Sequence, residues 1–437
     1  MNLAYEPLFT PFSIRNTRIK NRYFMAAMGT VTHNDEDGAY LPDAVDYFVR
    51  RAAGGVGLII TGANWVDNNI EVHSPGSFPC PTICPGKYIK AARELTDRVH
   101  AFDTKIFVQL TAGLGRSAMP AMIHDRKFVA PSTISNRWNP RIECRELTTE
   151  EVERLVEQFG VSAAIAKKCG YDGVEVHAVH EGYLLDCFAM SLFNKRTDKY
   201  GGDLNGRLRF AIEIVQKIKQ YCGEDFPVIL RFSLKSYIKD LRQGAVPGET
   251  FTELGRDTDE GLQAARILVD AGYDALDVDA GTYDSWYWAH PPMYFDKGVY
   301  LPFAEQVKQV VDKDYIGDAD DTAISDASSS AIISAIGDKW SYYMTAEEYK
   351  AYQMYSNNEY AGIGVTIQLD DKTKGFRITA VTSDSPAAKA GLQQGDIITA
   401  IDGEDVTGKT LSDVQSTIRA KLNKTPVSYT HLTLPTK

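Results

Sequence analysis

Four residues within seven positions can do chemistry together: His177, His180, Glu181 and Tyr183. They follow a short apolar run, Gly173-Val174-Glu175-Val176, itself launched by Gly170-Tyr171-Asp172. Titratable groups massed just past a buried strand mark the working face of an α/β barrel, where the loops at the carboxyl ends of the strands carry the active site. An imidazole can donate to a carbonyl or phenolate oxygen and polarise it; a phenol can deliver a proton to carbon. Gln109, near the end of the run Lys105 to Leu110, offers a donor and an acceptor to a ring edge that carries both. Arg231, near the end of Pro227 to Phe232, offers positive charge to a ring position that gains electron density on reduction. The stretch Ala26-Ala27-Met28-Gly29 and the pair Gly62-Ala63 leave room for a flat ring. Together these suit flavin-assisted reduction of an activated double bond. Singly, each has a plainer account: loop polars capping a strand, a satisfied core glutamine, a structural ion pair at Arg231, a packed ring at Tyr183. The conjunction at one face carries the reading.

The elements that must position these residues repeat in one direction. Tyr23 to Met28, Val56 to Gly62, Lys105 to Leu110, Gly173 to His177, Pro227 to Phe232 and Gly272 to Asp279 read as strands. Helices are expected around Tyr47 to Ala52, over Glu150–Lys168, Leu208–Tyr221, Leu262–Ala271 and Phe303–Val311. Thr148 with Glu151 forms a capping box at the start of the second of these. Cys169-Gly170-Tyr171-Asp172 and Ala271-Gly272-Tyr273-Asp274 end a helix and launch a strand in the same way. This is the pattern of parallel βα units. Six are counted, where a closed (β/α)8 TIM barrel needs eight. Residues 13–20 read as a hairpin turning at Asn16-Thr17, suited to flooring a barrel.

The 437 residues suit two or three domains, and a formal net charge of −11 argues against a nucleic-acid or anionic-membrane surface. The start lacks the n- and h-regions of a signal peptide, and no apolar run reaches the ~18 residues that span a bilayer. A cytoplasmic protein is the expectation. The 6 cysteines form no C-x-x-C pair, so neither a zinc nor an iron–sulfur centre has its ligand spacing.

From about Leu8 to Val311 the sequence resembles the old yellow enzyme family of flavin oxidoreductases. It looks closest to the branch that holds 2,4-dienoyl-CoA reductases and bile-acid or enoate reductases. The carrying motifs are Gly173 to His177 through Gly182-Tyr183-Leu184-Leu185, then Asn194-Lys195-Arg196-Thr197-Asp198-Lys199-Tyr200-Gly201-Gly202, and Asn21-Arg22 before Met25 to Met28. The resemblance implies FMN contacts at Ala26, Ala27, Met28, Gly29, Gly62, Gln109 and Arg231. It implies substrate-oxygen binding at His177 and His180 and proton donation by Tyr183, with hydride drawn from NAD(P)H. Glu181 lengthens the loop by one residue against much of the family, so either His180 or Glu181 takes the second binding position. His290 is a further substrate-side candidate. The family's seventh and eighth strands, which carry the FMN phosphate site, find no counterpart; nor do the cysteine cluster and second flavin/nicotinamide domain of its longer members.

After Asp312 the rhythm changes. Residues 313–358 read as a helical linker segment, and residues 359–427 as a small mixed β-sandwich. From Tyr315 the chain resembles the N-terminal helices and PDZ domain of carboxyl-terminal processing peptidases, which normally work outside the cytoplasm. The resemblance places a peptide C-terminus at Ala361, Gly362, Ile363 and Gly364 and rests also on Asp384 to Leu392 and Gly395-Asp396-Ile397-Ile398. Peptide recognition by this module is the alternative function. The last residues, 428–437, look like the translation of a sequencing adaptor, an artefactual tail, although alternating Val427, Tyr429 and His431 can serve as a substitute last strand. The expectation is a chimeric gene; one continuous reading frame amplified from the source DNA would refute it.

Overall fold

The computed structural model describes residues 3–30, 33–178, 180–311, 363–370, 372–411, 413, 414, 417 and 429–431. The chain divides into two compact units, Met1–Ile332 and Ile333–Lys437. The expected linker 313–358 and the expected boundary beside it lie outside the described residues, as do Ala361 and Gly362.

The first unit is built on six parallel strands that lie side by side in chain order: β1 (Phe24–Met28), β2 (Leu58–Trp65), β3 (Lys105–Thr111), β4 (Gly173–Val176), β5 (Val228–Ser233) and β6 (Ala275–Asp279). Helices α1 (Pro42–Ala53), α2 (Pro85–His100), α3 (Thr149–Cys169), α4 (Leu204–Cys222) and α5 (Thr258–Asp270) cross between them, and α6 (Leu301–Val311) follows β6. All six expected strands form. Among the described residues no further strand joins this sheet, so β1 and β6 are its edges.

The period of two sorts each strand's side chains. One face sends Ile59, Ile106, Val108, Val174, Val176, Leu230 and Phe232 into the helices, where they meet Phe48, Tyr88, Leu95, Phe159 and Leu268. The other face, at the amino ends of the strands, gathers Leu58, Ile60, Phe107 and Ile229. The hairpin Phe12–Ile14 and Thr17–Ile19 closes over them with Ile14 and Ile19, so it does floor the sheet. Its turn is at Arg15-Asn16, one residue earlier than expected, with Arg15 at φ 50°. Phe107 pairs with Gly173 across β3 and β4, and a Cβ at Gly173 would sit 2.7 Å from the Phe107 ring. Only glycine gives that ring its place.

The repeated Gly-Tyr-Asp has a physical cause. Gly170 ends α3 at φ 91° and Gly272 follows α5 at φ 122°, conformations that favour glycine. Tyr171 and Tyr273 are buried in the helix layer. Asp172 Oδ2 accepts Ile106 N at 2.9 Å, and Asp274 Oδ2 accepts Val228 N at 2.8 Å, so each aspartate ties its strand to the start of the one before. Lys105 and Lys219 balance the two charges.

The expected capping box at Thr148 and Glu151 is present. Helix α4 starts four residues before the expected Leu208, with Asp203 capping Gly206 N, and α5 starts on the same device at Asp257. Helix α2 adds to the expected helices; Pro85 stands in its first turn and Tyr88, Ala92, Leu95 and Val99 keep helical spacing.

The second unit is an antiparallel sheet of β7 (Val365–Leu369), β8 (Phe376–Val381), β9 (Ile397–Ile401), β10 (Glu404–Asp405) and β11 (Tyr429–His431). Phe376, Ile378, Leu392, Ile398, Ile401, Val406 and Val414 form its core. Asp402 and Gly403 turn β9 into β10 with φ of 51° and 83°, as a two-residue hairpin requires. Residues 429–431, read above as part of an artefactual tail that can serve as a substitute last strand, do pair with β9 through Ile398↔His431 and Ile401↔Tyr429. The sheet therefore continues past residue 427.

Candidate active site

Strand β4 is buried throughout, and its alternation aims Glu175 and then His177 into the space enclosed by the sheet. The ladder carries on past the strand: His177 N donates to Leu110 O at 2.8 Å. Two consecutive left-handed residues, Glu181 at φ 55° and Gly182 at φ 74°, then turn the chain. They deliver Tyr183 as the cap of a short helix, Leu184–Ala189. The turn is tied from three sides. Gly182 N donates to Asp186 Oδ2 at 2.8 Å and Ser117 Oγ donates to Gly182 O at 2.8 Å. Asp186 is ion-paired with Arg256, both fully buried, and Arg256 Nη1 donates to Ser233 O at the end of β5.

The result brings three expected residues into contact. The His177 and Tyr183 ring centroids are 4.5 Å apart, those of His177 and His180 4.8 Å, and those of His180 and Tyr183 5.5 Å. All three are buried. His180, not Glu181, shares the pocket with His177. Glu181 Oε1 instead lies 3.6 Å from Nε2 of His290, an exposed ring stacked on Trp286. His177 Nδ1 and both ring nitrogens of His180 are buried without a hydrogen-bond partner. His180 Nδ1 is 3.2 Å from Asp279 Oδ2, close enough for charge attraction but not aligned as a hydrogen bond.

Beneath this cluster lies a charged layer. Gln109 Nε2 donates to Glu175 Oε1 at 2.7 Å, leaving Glu175 Oε2 unpartnered. Arg231 donates through Nη1 to Asp277 at 2.6 Å and through Nε to Asp279 at 2.8 Å. Gln109 and Arg231 are thus both hydrogen-bonded within the protein, as the plainer account allowed; the Gln109 carbonyl oxygen and Arg231 Nη2 take no part in these bonds. Glu175, Asp277 and Asp279 had no role in the sequence reading. Their signal was the alternation Asp277-Val278-Asp279, which puts two carboxylates on one face of β6.

Burial pushes the Glu175 carboxyl up to about 8, aided by Asp277 and opposed by Arg231. Burial, then the neighbouring His180, holds the His177 imidazole well below its ordinary value, so it is neutral. Burial also works against the charge on His180, but Asp279 and Glu181 outweigh it and raise its value. The Tyr183 phenol is pushed well above its ordinary value by burial and by Glu181. The site therefore holds one neutral imidazole, one with cationic character and a phenol that keeps its proton.

The small residues behave differently. Ala26, Met28 and Gly29 are exposed along the edge strand, and Ala27 packs against the floor. A Cβ at Gly62 would fall 2.2 Å from Gly29 Cα. Glycine there lets the tips of β1 and β2 touch: the direction a side chain would take is filled by the backbone of Gly29. In the second unit, Ile363 is buried, and Gly364, at φ 83°, lies so close to Ser385 that a Cβ would be 2.1 Å from its Cβ.

The sequence profile of the NADH:flavin oxidoreductase / NADH oxidase family matches residues 7–283, and that of the PDZ domain matches residues 377–426. Cinnamate reductase of Clostridium sporogenes is 54% identical over 336 residues, 76% of this chain and 50% of that protein. NADH oxidase of Thermoanaerobacter brockii is 36% identical over 310 residues, 70% of this chain and 44% of that one. The chain thus spans about half the length of these two relatives. The solved complex of 2-naphthoyl-CoA reductase with 2-naphthoyl-CoA superposes with a TM-score of 0.60 at 26% identity, over 70% of this chain and 45% of that one. By a sequence match that covers more than half of it, the chain belongs to the NADH:flavin oxidoreductase / NADH oxidase family, and it carries a PDZ domain beyond that match.

Proposed function

We propose that the first unit is an ene-reductase: an FMN-dependent enzyme passing hydride from NAD(P)H to the activated C=C of an α,β-unsaturated carbonyl compound. The observation that carries this reading is the contact of His177, His180 and Tyr183 around buried ring nitrogens that lack partners. Buried polar atoms are rarely left unpaired, so these favour a ligand oxygen. The substrate class we favour is an unsaturated acid or thioester with an aromatic or polycyclic body. Its support is the likeness to cinnamate reductase and, in fold, to 2-naphthoyl-CoA reductase.

In this reading His177 and His180 bind the substrate oxygen, and the cationic character of His180 draws charge onto it. Glu181 and His290 line the outer side. Tyr183, which keeps its proton until a base appears, gives that proton to the carbon that gains electron density. The Gln109 carbonyl oxygen and Arg231 Nη2, which stand outside the bonds described above, fit the polar edge of an isoalloxazine, with Ala26, Ala27, Met28, Gly29 and Gly62 along the first two strands. Bound FMN supplies the two-electron carrier between nicotinamide and alkene. We expect weak retention of FMN, because β1 and β6 are sheet edges among the described residues.

The test is direct. The chain is titrated with FMN, reduced anaerobically with NADH, and mixed with cinnamate. Flavin reduction followed by reoxidation on cinnamate supports the reading. A chain saturated with FMN that NADH cannot reduce would sink it. A second activity is favoured by one observation: among the described residues, β7 pairs on one side only, beside the Ile363-Gly364 corner. A peptide C-terminus can add there as a strand. Retention of the chain on an immobilised peptide with a free apolar C-terminus, lost when that carboxylate is amidated, supports this.

A further inference from the structure

Tyr183 is buried, 8% exposed, so water has little access to restore a proton that it gives away. Its hydroxyl is 2.7 Å from the hydroxyl of Tyr283, a residue 100 positions later, and the two rings meet edge-on at 5.2 Å. Tyr283 is only partly buried and stands at the mouth, among Trp138, Trp286 and His290. We propose that Tyr283 is a positioning residue for Tyr183: its hydroxyl fixes the Tyr183 hydroxyl and returns a proton to it after each transfer. The proposal rests on the reading of Tyr183 as proton donor.

The surroundings hold Tyr283 in one place. Its N donates to Glu181 O at 3.1 Å, and its carbonyl accepts Nε and Nη2 of Arg137 at 3.1 and 3.0 Å. The next residue, Asp284, is buried and binds Arg116 Nη1 at 2.5 Å, Arg242 N at 2.9 Å and lies 3.4 Å from Arg137 Nε. Arg116 is itself fully buried. A buried ion pair adds little stability over apolar packing, but it fixes geometry. Here the geometry it fixes is one phenol against another.

The direction of proton flow follows. Burial raises both phenols, and Glu181 acts on both. Tyr183 is raised furthest, while its hydrogen bond lowers Tyr283. A Tyr183 phenolate is therefore the stronger base of the two. In the step, the Tyr183 O–H bond breaks as its proton passes to the substrate carbon, and the electron pair stays on oxygen. The Tyr283 O–H bond then breaks and a new O–H forms on Tyr183. The charge now on Tyr283 takes a proton from water at the mouth, leaving hydroxide. The titratable groups facing this pair are His177, His180, Glu181 and His290.

The test places 3-fluorotyrosine at position 183 of the full chain and follows its 19F shift against pH, with and without Tyr283→Phe. Tyr283 ionises first and then holds the proton on Tyr183, so loss of its hydroxyl is expected to lower the ionisation midpoint of residue 183 by ~1 pH unit; an unchanged midpoint overturns the proposal. With FMN in excess, Tyr283→Phe is expected to lower kcat ~10-fold, raise the solvent isotope effect and shift the basic limb of the pH profile, while KM stays put. Normal dependence on Tyr183 with no effect of Tyr283→Phe removes this proposal alone. A Tyr183→Phe chain that turns over normally removes the reading beneath it, and the proposal with it.

Discussion

The two ends of the six-stranded sheet are made of opposite materials. At the amino ends, Leu58, Ile60, Phe107 and Ile229 meet Ile14 and Ile19 of the hairpin. At the carboxyl ends, two to four residues further along the same face, stand Gln109, Glu175, Arg231, Asp277 and Asp279, with His177 and His180 above. Apolar burial gains free energy roughly with area and needs no direction. Buried charge gains little and demands geometry. One end holds the sheet together and the other is held by it.

The largest effect expected at the charged end is on chemistry. Tyr183→Phe should lower turnover of the FMN-loaded chain ~10²–10⁴-fold while leaving denaturation midpoints nearly unmoved. At the floor the outcome reverses: Phe107→Ala should cost ~3–5 kcal/mol in chemical denaturation, because no neighbour can fill the space over Gly173. Equal losses of both kinds in either variant would show that the two ends do not divide stability from chemistry. Arg256→Met tests the seam between the ends, since it strands Asp186 in the interior. A loss of ~3–5 kcal/mol is expected, and the further change Asp186→Leu should return part of it without restoring activity.

A smaller effect depends on pH. The Glu175 carboxyl is pushed up from an ordinary 4.5 to about 8, by burial first and Asp277 second. As pH rises through this window the unfolded chain releases its proton before the folded one does. Stability therefore falls between these values and levels off above them. Glu71, buried and accepting Leu114 N and Gly115 N, is also pushed up to about 8 by burial and adds a slope of the same sign. Glu175→Gln should flatten the fall, and Glu71→Gln with it should flatten it further; an unchanged slope in the double variant would contradict the assignment. The smallest effect lies outside both ends: Thr148→Ala, which removes the cap of α3, should cost ~1 kcal/mol and leave turnover alone.

Much of this was legible before folding. The six strands, the capping box and the role of the hairpin follow from local rules: alternation, a polar cap, a tight turn. So does the loop bearing His177, His180 and Tyr183, because all three lie within seven residues of one strand end. Helix α2 carries a local signal of the same kind, a proline in the first turn and regular apolar spacing. The partners of the site residues were not legible. Glu175 reads as one charged residue in an apolar run until β3 pairs beside it and Gln109 arrives at its side chain. Gly62 reads as open space until β1 brings Gly29 against it.

By itself, then, the sequence determined what each strand would carry at its tip, since alternation and loop position are properties of neighbours along the chain. Only the tertiary structure decided which tips meet. Tyr183 and Tyr283, Arg231 and Asp277, Asp186 and Arg256 are joined by the order and register of parallel strands. The free energy of burying charge depends on the partner that packing supplies, and no local pattern contains that partner.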